Sequence, residues 1–305
     1  MNSTLPHFQP SAKRIYLAPI RSDSPSSLRL GICRGRARQI PRGFTLVEIA
    51  IAVFIITLLL GSILVPLTTQ VEQRQVTETQ KMLEDIKEAL IGHAIAKGYL
   101  PCPDRTSGGA GTANDTANDG VEDFDAATGL CIGSVAGSYP GPVIGPPAIP
   151  ILQTTRRAVG NLPWVTLGLG ASDPWGNRFR YANDMEFSAR PPSAGTPFSL
   201  AFWADLGVCT TAACTTRLYS TTGGEGLVAV ILSHGKNGRS AINASTGTAN
   251  VAATSADEVD NTGGPTYTSR AITPVGSTAG EFDDVVTWLG KYTLFQRMVA
   301  AGKLP

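Results

Sequence analysis

Histidine is nearly absent from this chain, with three in 305 residues. Beyond the first 43 residues only His93 and His234 remain, so little imidazole is available for proton transfer or metal ligation. His93 lies in a helical pattern and is expected to be a core or edge residue. No nucleophile elbow G-x-S-x-G, no H-E-x-x-H and no phosphate-cradling G-x-x-x-x-G-K-[ST] occurs. A catalytic constellation is therefore not expected, and the chain reads as not an enzyme. Acid is nearly missing from the first 43 residues, where Asp23 stands against eight Lys and Arg. The remainder holds 17 basic and 23 acidic residues. A basic head before an acidic body excludes the basic body of a nucleic-acid binder, and no nucleic-acid partner is expected.

What is present is a long apolar run, Phe44 to Leu67, inside "RGFTLVEIAIAVFIITLLLGSILVPL". A helix over its 24 residues would be about 36 Å long. That length predicts a membrane span, with the basic flank in the cytoplasm. A secretory signal is excluded, because its apolar region is about 7–15 residues and ends in a small-residue cleavage site. Glu48 sits one turn inside the run. A charge at bilayer centre costs on the order of 3 kcal/mol, so this carboxylate calls for a cation. Cleavage between Gly43 and Phe44 would create one, an ammonium four residues before Glu48 on the same helix face.

With those residues in view, "RGFTLVEIAIAV" resembles the type III prepilin signal of type IV pilins and type II secretion pseudopilins. The resemblance implies cleavage after Gly43 by prepilin peptidase, N-methylation of Phe44, and a Glu48 that meets a neighbouring subunit's amine during filament assembly. It also implies other pilin or pseudopilin subunits, an inner-membrane assembly platform and membrane lipid as partners. The leader of 43 residues is long for that family. No internal methionine precedes Met82, which points to a non-Met start nearer "RGRARQIPRG".

After Pro66 the pattern becomes amphipathic, with Val71, Met82, Leu83, Ile86, Leu90 and Ile95 near helical spacing. One helix from about Phe44 to Lys97 is predicted, with Gly98 and Pro101 ending it. Residues 101–160 read as loop-rich. Asp115, Asp119, Glu122, Asp123 and Asp125 cluster about Gly120 without the EF-hand spacing, so a solvated turn is expected there, with a loose Ca2+ loop as the alternative. Prolines at 140, 142, 146, 147 and 150 predict irregular chain over 138–150. Cys33 lies in the head, and Cys102, Cys131, Cys209 and Cys214 lie in the body. Four body cysteines suit two disulfides in an oxidising compartment, and four free buried thiols are the alternative. Cys102 and Cys131 bracket the acidic loop and form the first pairing. Cys209 and Cys214 would close a small local loop.

The turn Asp173-Pro174-Trp175-Gly176-Asn177 leads toward an alternating segment, Phe179-Arg180-Tyr181. "DPWGNRFRY" is similar to the segment that opens the antiparallel sheet of major pseudopilins, and "SLAFWADLGV" and "GLVAVILSHGKNG" resemble the strands that follow. That family carries a Ca2+ site on a Ser-x-Gly-x-Asp-Gly turn and a later acidic segment. Here Ser233, Gly235 and Gly238 match, Asn237 stands in place of the Asp, and Asp283 and Asp284 supply the acids. A structural Ca2+ held by Ser233, Asn237, Asp283 and Asp284 is what the resemblance implies, and no cofactor is otherwise required. Asp283 and Asp284 alternatively cap a following helix. The C-terminus reads as two short helical pieces divided near Gly290.

The expected architecture is α+β and pilin-like: a long N-terminal transmembrane helical spine packed on a small antiparallel β-sheet with irregular loops. Residues 1–43 are the leader, 44–67 the transmembrane half of the helix, 68–98 its amphipathic half, and 99–305 a periplasmic globular domain. The expected location is the inner membrane, single-pass, with a cytoplasmic N-terminus and the assembled filament in the periplasm or at the cell surface. The expected function is a structural subunit of a type II secretion pseudopilus or type IV pilus-like filament. The alternatives are a minor pilin of a DNA-uptake or adhesion filament, and a membrane-anchored periplasmic enzyme or binding protein.

Overall fold

The computed structural model describes residues 43–106, 116–127, 129–132, 135–144, 149–190, 200, 202–219, 224–264 and 266–304, with the side chains of 62–68 and 135–156 outside that description. The leader expected over 1–43 lies, but for Gly43, outside the described residues, as does Asp115. The chain divides into two compact units, Met1–Thr57 and Leu58–Pro305. The boundary falls inside α1 (Leu46–Lys97), the longest element.

The transmembrane spine is corrected by the structure. Among the described residues no helix is long and apolar enough to cross a membrane. The apolar start of α1 carries Glu48, and from Glu72 onward the helix is rich in charged residues. The transmembrane and membrane assignments, and the single-pass inner-membrane location with its cytoplasmic and periplasmic sides, fall with it. Nor is α1 the spine of one domain, since only its residues from Leu58 onward belong to the unit that holds the sheets.

The second unit is an α+β fold with two sheets rather than one. The larger has the order β1 (Val135–Ile144), β2 (Ile149–Asn161), β3 (Arg180–Asp184), β6 (Leu227–Ser233), β8 (Val285–Gly290), antiparallel throughout. The smaller joins β5 (Arg217–Tyr219) and β7 (Thr266–Thr268) to either side of β4 (Gly207–Cys209), with the β4–β7 pair parallel. Strand β6 has neighbours on both edges and is buried on both faces, which is why its sequence is a continuous apolar run instead of an alternation. Ile231 faces one cluster with Leu83, Ile86, Leu90, Ile91 and Ala94 of α1 and Leu294, Phe295 and Met298 of α4 (Lys291–Ala300). Val230 and Leu232 face the other, with Leu206, Val208 and Tyr267. Met82 and Ile95 pack at the rim of the first cluster, while Val71 is half exposed.

Three expectations are corrected here. Residues 138–144 and 149–150 are not irregular, because they belong to β1 and to the start of β2, while 145–148 lie outside the described residues. Pro140 and Pro142 are accommodated because β1 is an edge strand whose pairing register shifts between Pro140 and Val143, where a missing N–H breaks no inner ladder. The first C-terminal piece is the strand β8, not a helix. Its Val285-Val286-Thr287-Trp288 run is β-branched and aromatic, and pairing with β6 outweighs its helical spacing. Of the described acids near Gly120, Glu122 and Asp123 are buried rather than part of a solvated turn, whereas Asp119 is exposed beside the turn. Glu122 pairs with Arg190, whose guanidinium lies 3.5 Å from the Phe124 ring centroid, and the Asp123 carboxylate accepts from the Arg105 backbone at 2.8 Å.

Cys102 and Cys131 are bonded, as are Cys209 and Cys214. The first bond staples the acidic loop to the segment after α1, which is further held by Tyr181 Oη and Asn183 Nδ2 donating to the Pro101 carbonyl at 3.1 and 3.0 Å. His93 is an edge residue of α1, with Nδ1 3.1 Å from the Tyr99 carbonyl. Asp104, fully buried, accepts from the backbone of Asn118 and Gly120 at 2.9 and 3.0 Å.

Replacing both Cys102 and Cys131 by Ser reopens a loop of 29 residues and is expected to cost about 3–4 kcal/mol in urea unfolding of the oxidised protein. Burial pushes the Asp104 carboxyl up from 3.8 to about 7, against the pull of its backbone hydrogen bonds and with the charge of Asp123 adding to the rise. The folded chain then binds this proton more tightly than the unfolded chain. Stability from this group is complete below its unfolded value and is lost as pH rises through about 7. D104N should flatten that slope between about pH 4 and 7, while lowering stability at about pH 4 because an amide NH2 replaces one acceptor. Denaturant melts of both proteins across pH check it, and equal slopes would refute it.

Candidate functional site

The Asp173-Pro174-Trp175-Gly176-Asn177 turn is organised by its first residue. Asp173 Oδ1 accepts from the backbone of Trp175 at 3.0 Å and of Asn177 at 2.9 Å, and Oδ2 accepts from Ser233 Oγ at 2.6 Å. Burial raises the Asp173 carboxyl above its ordinary range, and the Ser233, Asn177 and Trp175 hydrogen bonds oppose that rise. Ser233 Oγ in turn accepts the Gly235 N–H at 3.1 Å. Gly235 has φ +60, and a Cβ there would stand 2.2 Å from the Asp283 carbonyl oxygen, so only glycine lets the 233–238 turn close against the Asp283 segment.

That turn delivers Asn237. Its N–H donates to Asp283 Oδ2 at 2.7 Å and its Nδ2 to Glu258 Oε1 at 3.0 Å. Its own Oδ1 is taken by the Arg239 N–H. Asp284 is fixed from the other side by Asn261 Nδ2 at 2.7 Å, with His234 Nδ1 3.4 Å from its second oxygen. Glu258, Asp283 and Asp284 thus bring carboxylate oxygens within 4.8 Å of one another. Glu258 Oε2 and Asp283 Oδ1 are buried and receive no donor among the described residues, although Glu258 is only 1% exposed.

Three carboxylates cannot stay ionised this close without a cation or protons. Burial drives Asp283 up to about 7, with Asp284, Glu258 and Glu281 adding to the rise. Glu258 is raised for the same first reason. An oxygen-only set with two undonated buried oxygens fits a hard cation such as Ca2+, and the centre has no thiolate to favour a softer metal. Asn237 and, of the cluster, Asp283 also line a groove of about 490 Å3, with Trp175, Val76 and Ile272 among its walls.

Of the four residues named for a cation from sequence, Asp283 and Asp284 are in the cluster. Asn237 holds two of its carboxylates by donating hydrogen bonds and offers them no ligand oxygen. Ser233 is not in it, because its hydroxyl serves Asp173. The helix-capping alternative for Asp283 and Asp284 fails, since β8 follows them. The missed residue is Glu258, in the five-residue helix α3 (Ala256–Asp260). A faint signal existed: Asp257, Glu258 and Asp260 are the only acids in 239–280.

In the first unit, Gly43 and Phe44 precede the helix and are exposed. Thr45 and Glu48 form a capping box at the start of α1. Thr45 Oγ1 accepts the Glu48 N–H, and Glu48 Oε2 accepts the Thr45 N–H, both at 3.3 Å. In the uncut chain, then, the Glu48 carboxylate satisfies the Thr45 N–H at the start of its own helix.

Calcium is expected to raise the melting temperature of the protein, and E258Q to abolish that response. Without calcium E258Q should be no less stable than the parent, because it removes a like charge from the cluster. Thermal melts with calcium and with chelator separate the outcomes, and an unchanged calcium response in E258Q would exclude Glu258 from the site. No family model, no curated protein and no solved structure matches this chain.

Proposed function

We propose that this chain is a structural subunit of a helical filament of the type II secretion pseudopilus or type IV pilus-like kind, with a structural Ca2+ at the Glu258–Asp283–Asp284 cluster. The observation that carries this reading is the first part of α1. Phe44, Leu46, Val47, Ile49, Ile51, Val53, Phe54, Ile55 and Ile56 are each about half exposed or more, from 49% to 87%, and together they cover every side of the helix. A buried side chain of this type contributes about 1.5–3 kcal/mol relative to an exposed one, so a segment of this composition is driven to be covered. Equivalent segments of other copies provide an all-apolar surface of the same kind.

Glu48 gives that association a register. Cleavage after Gly43 would release the Phe44 amine, and a carboxylate among apolar helices favours a position beside such a cation. Prepilin peptidase, other pilin or pseudopilin subunits and an assembly platform are the partners of this reading. The Ser233 hydroxyl donating to Asp173, with His234 turned to Asp284 and all four buried, supports a structural rather than catalytic use of these residues.

The test is N-terminal sequencing and intact mass of the protein from its native host, beside a G43A variant. Gly43 has open space about it, so alanine there leaves the fold undisturbed. The expected mature terminus is N-methylated Phe44, lost in G43A. E48A should be processed and folded but fail to enter filaments in a wild-type background. An uncut chain in a host with active prepilin peptidase would overturn the proposal.

A further inference from the structure

We propose that the Cys209–Cys214 disulfide is a redox latch on the carboxylate cluster, holding α3 so that Glu258 faces Asp283 and Asp284; this rests on the cation reading above. Helix α3 is five residues long and has no side-chain cap at its N-terminus, so its position is set from outside. Asp257, next to Glu258, provides the attachment. Its Oδ1 accepts the Ala212 N–H at 2.8 Å and its Oδ2 accepts Arg270 Nε at 2.6 Å. Ala212 lies inside the loop that Cys209 and Cys214 close. Arg270 carries the restraint across the site: its guanidinium lies 4.6 Å from the Phe282 ring centroid, beside Asp283, and donates to Thr273 Oγ1 at 2.7 Å.

A second route leads from the same disulfide. Cys209 pairs with Thr268 in the parallel β4–β7 ladder. Asn261 clasps the Thr268 backbone at both its N–H and its carbonyl, and donates to Asp284 at 2.7 Å. The disulfide loop is thus tied to Glu258 through Asp257 and to Asp284 through Asn261.

The two disulfides differ in access. Cys102 and Cys131 are 0% and 4% exposed, whereas Cys214 is partly exposed and sits at φ +51, a left-handed conformation that a non-glycine residue rarely keeps. Cys209 is itself buried, so attack by a dithiol reductant is placed at Cys214, the partly exposed partner. One of its thiolates attacks Cys214 Sγ, the Cys209–Cys214 bond breaks, and Cys209 leaves as a thiolate that takes a proton. The second reductant thiolate then displaces Cys214, which is protonated in turn. Two electrons and two protons pass to the protein, and the dithiol ends as a disulfide. With the loop open, Cys214 can leave φ +51 and Ala212 no longer holds Asp257 in place.

The experiment is calorimetric titration of the full chain with Ca2+ in three forms: oxidised, treated with a small dithiol until alkylation and mass show only Cys209 and Cys214 open, and C209S/C214S. The expected result is a fall in affinity of about three- to tenfold in the last two, the span of one net hydrogen bond. Equal affinity in the oxidised and selectively reduced forms overturns the latch and leaves the cation site standing. An oxidised chain that takes up no Ca2+ overturns the site and the latch together. The selectively reduced protein decides the matter should the double serine variant fail to fold.

Discussion

The body of this protein depends on one buried carboxylate. Asp173 gathers the backbone of its own turn and the Ser233 hydroxyl at the end of β6. Those bonds join the turn before β3 to the loop after β6, and the loop positions Asn237 against two acids. Removing a buried carboxylate's donors, or the carboxylate from its donors, leaves unpaired polar groups that cost about 1–3 kcal/mol each. The same constraint explains Gly235, which allows the loop to lie against the Asp283 backbone.

Elsewhere, too, this fold spends charge on holding irregular chain. Asp104, Glu122, Asp123 and Asp184 are buried acids, and each binds backbone N–H groups or Arg190. A chain with long polar loops must satisfy their backbone groups away from water, and buried carboxylates do this for several donors at once. The Glu258–Asp283–Asp284 cluster departs from that pattern. Its acids face each other, and two of their oxygens receive nothing from the described residues. That difference separates a site from scaffolding.

Some of this was legible in the sequence. The apolar periodicity of Leu83, Ile86 and Leu90 placed the buried face of α1, because helical spacing is a local property. The Asp-Pro-Trp-Gly-Asn turn, the continuous apolar run of β6 and the pairing of Cys102 with Cys131 could be read from short segments. Other elements misled for a physical reason. Prolines 140 and 142 argued against a strand, but an edge strand tolerates them. Val285 and Val286 have helical spacing to Leu289, yet pairing with β6 makes them a strand. Length and apolarity suggested a membrane span, and among the described residues no helix is long and apolar enough to cross a membrane.

By itself the sequence determined what is local: the apolar segment from Phe44, the Thr45–Glu48 capping pair, the turn residues, and the amphipathic face that finds the sheet. Only the tertiary structure decided which acids meet. Glu258 lies about two dozen residues from Asp283 in a segment with no motif, and it joins Asp283 and Asp284 because α3 is tethered by Asp257 to the Cys209–Cys214 loop and to Arg270. Such a meeting depends on long-range contacts that carry no spacing rule. The chain's order fixes where each carboxylate begins, and packing fixes which others it must face.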